Sequence, residues 1–167
     1  MEISAIREYL EMFRQAVAEN TKGTELRETE EGPVLYCSVK SPFEGREDIV
    51  YQISMYPYDE TFFAAEIIMF VFTDIDRSKY PELNRLINML NVYFTIGSYR
   101  LFEEEGAVMF CHGLMLDDTM QIAKGNELLA KAITVMENTA VNTGGYILRL
   151  LNGEDPDSII ADIVKEA

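Results

Sequence analysis

The chain is short of positive charge: 14 Lys and Arg stand against 29 Asp and Glu in 167 residues, a formal net charge of -15. The basic residues, from Arg7 and Arg14 through Lys22, Arg27 and Lys40 to Lys165, are scattered singly. Nucleic-acid binding depends on Lys and Arg neutralising phosphates, so no nucleic acid is expected as a partner. Anionic membrane surfaces are excluded on the same ground. The acidity then serves solubility, or docking to a basic partner.

Other chemistry is equally scarce. His112 is the single histidine, so a histidine metal cluster is unavailable. Cys37 and Cys111 lack metal-type spacing, and each falls in an apolar strand pattern where a free thiol packs as a small hydrophobe. His112 follows Cys111 on a strand and points the opposite way, the pattern of a core or interface histidine. No G-x-x-x-x-G-K-[ST] or G-x-G-x-x-G run is present, and no cofactor or metal is expected. Glu103 to Glu105 lack the alternating oxygen ligands of a calcium loop. The most apolar run, Phe62 to Phe72, is interrupted by Glu66 and ends before Asp74, too short to span a bilayer. Met1-Glu2-Ile3-Ser4 opens an amphipathic pattern with no basic start or apolar signal core, so a cytoplasmic location is expected.

What the chain does have is an ordinary core composition, 48 % apolar and 26 % charged. Residues 1–167 are expected to form a single domain needing neither disulfide nor metal. Ile3, Ile6, Leu10, Phe13 and Val17 recur three and four apart, one helix stripe, with Glu2, Glu8, Glu11 and Glu19 outside it. From Thr24 the period shortens. A charged strand around Leu26 suits a sheet edge, and Val34–Val39 is a better strand beyond the turn at Glu30–Pro33.

Asp48–Tyr56 alternates, with Ile49, Tyr51, Ile53 and Met55 on one face and Val50, Gln52, Ser54 and Tyr56 on the other. Pro57-Tyr58-Asp59-Glu60 turns the chain. In the next strand Phe63, Ala65, Ile67, Met69 and Val71 share one face. Phe62, Ala64, Glu66, Ile68, Phe70 and Phe72 share the other. A strand apolar on both faces must be covered on both. Phe62, Ile68, Phe70 and Phe72 are therefore the candidate partner or dimer surface.

Pro81 suits the first turn of a helix carrying Leu83, Leu86, Ile87, Leu90 and Phe94. Asn84, Asn88 and Asn91 line a second stripe, read as hydrogen bonding to backbone at the rim of the sheet. Gly97 ends the connection, and Ser98–Glu103 and Ala107–Leu116 form a hairpin about Gly106. Asp117-Asp118-Thr119 offers N-cap oxygens to a long helix with Leu129, Ile133, Met136 and Ala140 on its stripe. Gly125-Asn126 marks a kink or a later start, and Asn142-Thr143-Gly144-Gly145 a break. Tyr146–Leu151 reads as a short helical return, and Asp155-Pro156 caps a last helix with Ile159, Ile160, Ile163 and Val164. The expected order is α-β-β-β-β-α-β-β-α-α: an α+β fold with an antiparallel sheet of five to six strands flanked by helices.

This order, with the run NRLINMLNVYFTIGSYRLFEEEGAVMF, resembles the YbjN family of bacterial proteins, which is similar in fold to type III secretion chaperones. Asn84, Asn88 or Asn91, Gly97, Glu103 to Glu105 and Gly106 stand where that family has a helix with two Asn, a Gly before a strand, and an acidic turn with Gly. LRLLNGEDP, Leu148 to Pro156, resembles its closing helix and tail, and the likeness covers Thr24 to Ile163. The resemblance implies a helix-flanked antiparallel sheet, frequently a dimer, without established catalytic chemistry. It also implies sensory or regulatory roles, with chaperone-like relatives that bind extended segments of partner proteins.

The expected function is thus a non-catalytic protein-interaction module, chaperone-like or regulatory, acting as a homodimer or on a protein partner. Two alternatives compete. Asp74-Ile75-Asp76-Arg77-Ser78 imitates the D-x-D-x-[ST] of haloacid-dehalogenase-type phosphatases, giving a Mg²⁺-dependent phosphohydrolase with Asp74 as nucleophile and Asp76 as general acid/base. A small-ligand cavity lined by Tyr51, Tyr56 and Phe63 is the other.

Overall fold

Apolar spacings of three and four build four helices, and alternation builds six strands, in a computed structural model that describes residues 3–59, 61–117 and 120–166. Met1, Glu2, Glu60, Asp118 and Thr119, given roles above, lie outside the described residues, as does the side chain of Ile3. α1 (Ile3–Val17) leads into β1 (Gly23–Thr29), β2 (Gly32–Val39), β3 (Ile49–Pro57) and β4 (Phe62–Phe72). α2 (Tyr80–Asn91), β5 (Ser98–Phe102), β6 (Ala107–Asp117), α3 (Ile122–Leu151) and α4 (Pro156–Glu166) follow. The strands form one antiparallel sheet, ordered β1-β2-β3-β4-β6-β5, so the fold is α+β.

One face of the sheet is the core. Leu35, Tyr51, Ile53, Ile67, Met69 and Phe110 point from it into Leu10, Phe13, Leu83, Leu86, Leu129 and Met136 of the helices. Each buried side chain of this size contributes about 1.5–3 kcal/mol relative to exposure. α4 packs on α2 and α3 rather than on the sheet. Charged β1 is an edge strand.

The asparagine stripe of α2 resolves into one working residue. Asn91 Nδ2 donates to the Tyr99 carbonyl at 2.9 Å, and the Tyr99 N–H donates to Asn91 Oδ1 at 2.8 Å. One side chain so pairs both backbone groups of a residue on edge strand β5. Asn84 and Asn88 are exposed. Asn91→Ala strands two half-buried backbone groups and is expected to cost about 1–2 kcal/mol in denaturant unfolding. A loss of a few tenths would mean that water replaces the amide.

Two expectations are corrected. α3 is one continuous helix, without a break at 142–145, a separate return at 146–151 or a later start at 125–126. Its buried stripe runs in phase through the glycines: Met136, Ala140, Gly144, Ile147, Leu150. Gly144 is there for space, because a Cβ would stand 2.4 Å from Phe43 Cζ. Packing against the loop after β2 outweighs the helix cost of glycine, about 1 kcal/mol.

The second correction concerns Phe72. The β4–β6 register slips between Phe70 and Phe72, where Phe70 faces Met109 but Phe72 faces Val108. This β-bulge puts Val71 and Phe72 both into the core. Phe72 therefore leaves the face of Phe62, Ile68 and Phe70 and packs on Phe43, ring centroids 5.0 Å apart.

Candidate functional site

Among the described residues no helix packs on the centre of the sheet's other face. Phe62, Ala64, Glu66, Ile68 and Phe70 of β4 point to it, with Val50, Gln52, Ser54 and Tyr56 of β3 alongside. From β6 come Met109, Cys111, Gly113, Met115 and Asp117, each opposite a β4 residue of that face. Arg100 and Phe102 extend it on β5. Phe62, Tyr56, Met115 and Phe102 are 38 %, 46 %, 50 % and 38 % exposed, while Ile68, Phe70 and Met109 are half-buried, Phe70 beside the loop at Gly45–Asp48. The small Ala64 and Cys111 are hidden between larger side chains.

Three of the four candidate residues, Phe62, Ile68 and Phe70, thus lie together on this face, and Phe72 does not. Met109, Met115, Tyr56 and Phe102 join them. The β3 alternation alone puts Tyr56 on that face. The Met residues enter through the β4–β6 register, a pairing across the whole of α2 and β5 that local pattern does not contain.

The electrostatics of the face differ from those of the molecule. On its strands Glu25, Glu66 and Asp117 are the acids and Arg27 and Arg100 the bases, with Glu30 and Glu31 added at the β1–β2 turn, in a chain that carries -15 as a whole. Arg27 sits 4.7 Å from the Tyr36 ring centroid and pairs with Glu25 at 2.7 Å. A shallow hollow of about 420 Å³ opens beside the β1–β2 turn, lined among others by Pro33, Tyr36, Gln52 and Tyr56. The centre of the face is an apolar band, with its acids and bases toward the edges and one acid, Glu66, within it. It can bury surface against another molecule, and its side chains form no nucleophile–base pair.

The other candidate residues are dispersed. Asp74 lies just past β4 with φ of 55°, beside the Gly106 turn, where the Ile75 N–H donates to the Gly106 carbonyl at 2.9 Å. Asp76 begins the 3-10 turn ahead of α2. Its carboxylate accepts the Ser78 N–H at 2.8 Å, and that bond holds its pKa below the usual carboxylate range. The strand leading to them is antiparallel to both neighbours. Among the described residues no group of three or more His, Cys, Asp or Glu is placed to hold a metal ion.

Tyr51, Tyr56 and Phe63 do not share a cavity: Tyr51 and Phe63 point into the core and Tyr56 to the open face. Five positions separate the two tyrosines on one strand, and an odd separation places them on opposite faces. Tyr51 instead donates its hydroxyl to Glu137 of α3 at 2.6 Å, a partner 86 positions away. His112 is half-buried on the core face, where burial lowers its pKa. Cys37 on the core face and Cys111 on the open face are both free thiols. Their pKa values are raised by burial, Cys37 to about 11.

Among the described residues no helix is long and apolar enough to cross a membrane. No protein-family model matches the chain, and no curated protein matches it.

Proposed function

We propose that the protein is a non-catalytic interaction module, chaperone-like or regulatory, working as a homodimer joined through the open face of its sheet. The observation that carries the reading is the apolar band of Phe62, Ile68, Phe70, Met109 and Met115 on the face opposite the one the helices pack on, with Phe62 38 % and Met115 50 % exposed. Leaving such a band in water forfeits about 25 cal/mol for each Å² that an interface would bury. A second copy suits it better than a basic partner. The strand positions of the face carry three acids and two bases, with Glu30 and Glu31 only at its β1–β2 rim, so two copies meeting at its centre face less repulsion than a charge of -15 imposes elsewhere. A two-fold interface would set each patch against itself. The likeness to the YbjN family, frequently dimeric, supports the same reading. Free buried thiols at Cys37 and Cys111 fit a reducing cytoplasm.

Light scattering at tens of micromolar is expected to return the mass of a dimer. Phe70→Glu buries a carboxylate in that interface and should weaken dimerisation by roughly a hundredfold or more, with circular dichroism unchanged. Met115→Lys, at a half-exposed position, repeats the test with less demand on folding. A monomeric wild type, or dimers indifferent to both changes, would sink the proposal.

A further inference from the structure

A second concavity lies on the opposite side of the sheet. α1 ends at Val17 and the chain turns off through a 3-10 turn at Ala18–Asn20, so α1 does not extend along α3 past this point. The gap left between α1, α3 and the strands β2 and β3 is a cleft of about 280 Å³. Phe13, Val17, Val39 and Ile133 make its walls apolar. Val17, Val39 and Ile133 remain only half-buried, as side chains do when a layer above them is missing.

One end of the cleft is polar. The Tyr51 hydroxyl, buried on the sheet, donates to one carboxylate oxygen of Glu137 at 2.6 Å. Burial and the adjoining carboxylate both push the Tyr51 pKa upward, so the phenol remains a donor. None of the ion pairs among the described residues includes Glu137. The carboxylate thus keeps its second oxygen for a donor from outside, at the rim of an apolar groove in a strongly acidic protein. A cation is favoured there both locally and by the field of the whole chain.

We propose that this cleft binds a small organic cation, an alkyl or aralkyl amine. Its ammonium donates to Glu137, and its apolar body lies between α1 and α3 against Val17, Val39 and Ile133. The size agrees: an apolar cavity of about 150 Å³ accepts a benzene ring, so this cleft takes roughly six to eight carbons beside the ammonium. Carboxylate and alcohol analogues share the apolar body and lack the charge that Glu137 selects.

The test is methyl NMR of the intact protein titrated with n-hexylammonium, and in parallel with 1-hexanol and hexanoate. Hexylammonium is expected to shift the Val17, Val39 and Ile133 methyls saturably and leave Met115 on the far face unmoved. Hexanol should bind more weakly and hexanoate not at all. Glu137→Gln keeps an oxygen to accept from Tyr51, so the tether and the fold survive. Amine affinity should fall roughly tenfold or more. Equal binding of the three probes, shifts outside the cleft, no saturation, or undiminished binding by Glu137→Gln would each overturn the assignment. If the variant does not fold, the three-probe comparison on the wild type decides alone.

Discussion

Gly97→Ala is expected to lower stability by about 3–4 kcal/mol, from two independent causes. Gly97 has φ of 71°, a left-handed conformation costing an L residue about 1–2 kcal/mol. A Cβ there would also stand 2.5 Å from Phe110 Cε1 and 3.0 Å from the Cys111 carbonyl oxygen. The Phe110 ring cannot move aside cheaply. It is fully buried and meets Tyr99 and Phe94 edge-on, at centroid distances of 4.9 and 5.5 Å. Overpacking of this kind costs about 1–3 kcal/mol. Thermal unfolding should show a Tm about 10 °C lower, with a matching shift in the denaturant midpoint. Introducing Gly97→Ala into Phe110→Leu separates the causes: the steric part should appear as a coupling of about 1 kcal/mol or more, and the backbone part should remain. A Tm within about 2 °C of wild type would refute both.

Gly125→Ala is expected to cost about 2–3 kcal/mol although alanine is the better helix former by about 1 kcal/mol. Tyr9 of α1 lies across this glycine, and a Cβ would fall 1.4 Å from its hydroxyl oxygen and 2.6 Å from Cζ. Tyr9 is itself held in the core, edge-to-face on Phe63 at 5.7 Å, so its ring has no free path outward. Its hydroxyl is buried without a hydrogen-bond partner, and the desolvation raises its pKa to about 12. Tyr9→Phe removes only that unpaired group, so it should be neutral or stabilising by up to about 1 kcal/mol. In the Tyr9→Phe background the Gly125→Ala penalty should shrink by about 1 kcal/mol or more. Strict additivity of the two changes would show that Tyr9 swings clear of the helix.

Much of the fold is legible because its determinants are local. The stripe of Ile6, Leu10 and Phe13 becomes the buried side of α1, and β3 alternation separates Tyr51 from Tyr56. Asn91 and Gly97 can be marked as special from their types, and the structure supplies the reasons, a capped edge strand and a left-handed turn. The misreadings have non-local causes. Gly144 is a helix breaker in its own stretch, and the Phe43 ring from a hundred residues earlier explains why a glycine stands inside a continuous helix. The bulge at Val71 is silent because β4 is apolar on both faces, so a change of parity at Phe72 alters no local pattern. The open face is foreshadowed by Phe62, Ile68 and Phe70, but its extent depends on which strand lies beside β4. The Tyr51–Glu137 pair joins a strand to a helix across 86 positions, beyond any local signal.

That strand order bears on how the chain is made. β1 to β4 pair each with its predecessor, so a four-strand meander can close while the ribosome is still extending the chain. β6, however, not β5, is the far neighbour of β4. The most apolar strand therefore stays a bare sheet edge while α2, β5 and the Gly106 turn are synthesised, and it gains its second partner only when Ala107–Asp117 emerges. An unpaired apolar edge is the form of a nascent chain most prone to joining another. The chain's excess of acidic residues, Glu103 to Glu105 among the last before β6, opposes such joining by mutual repulsion.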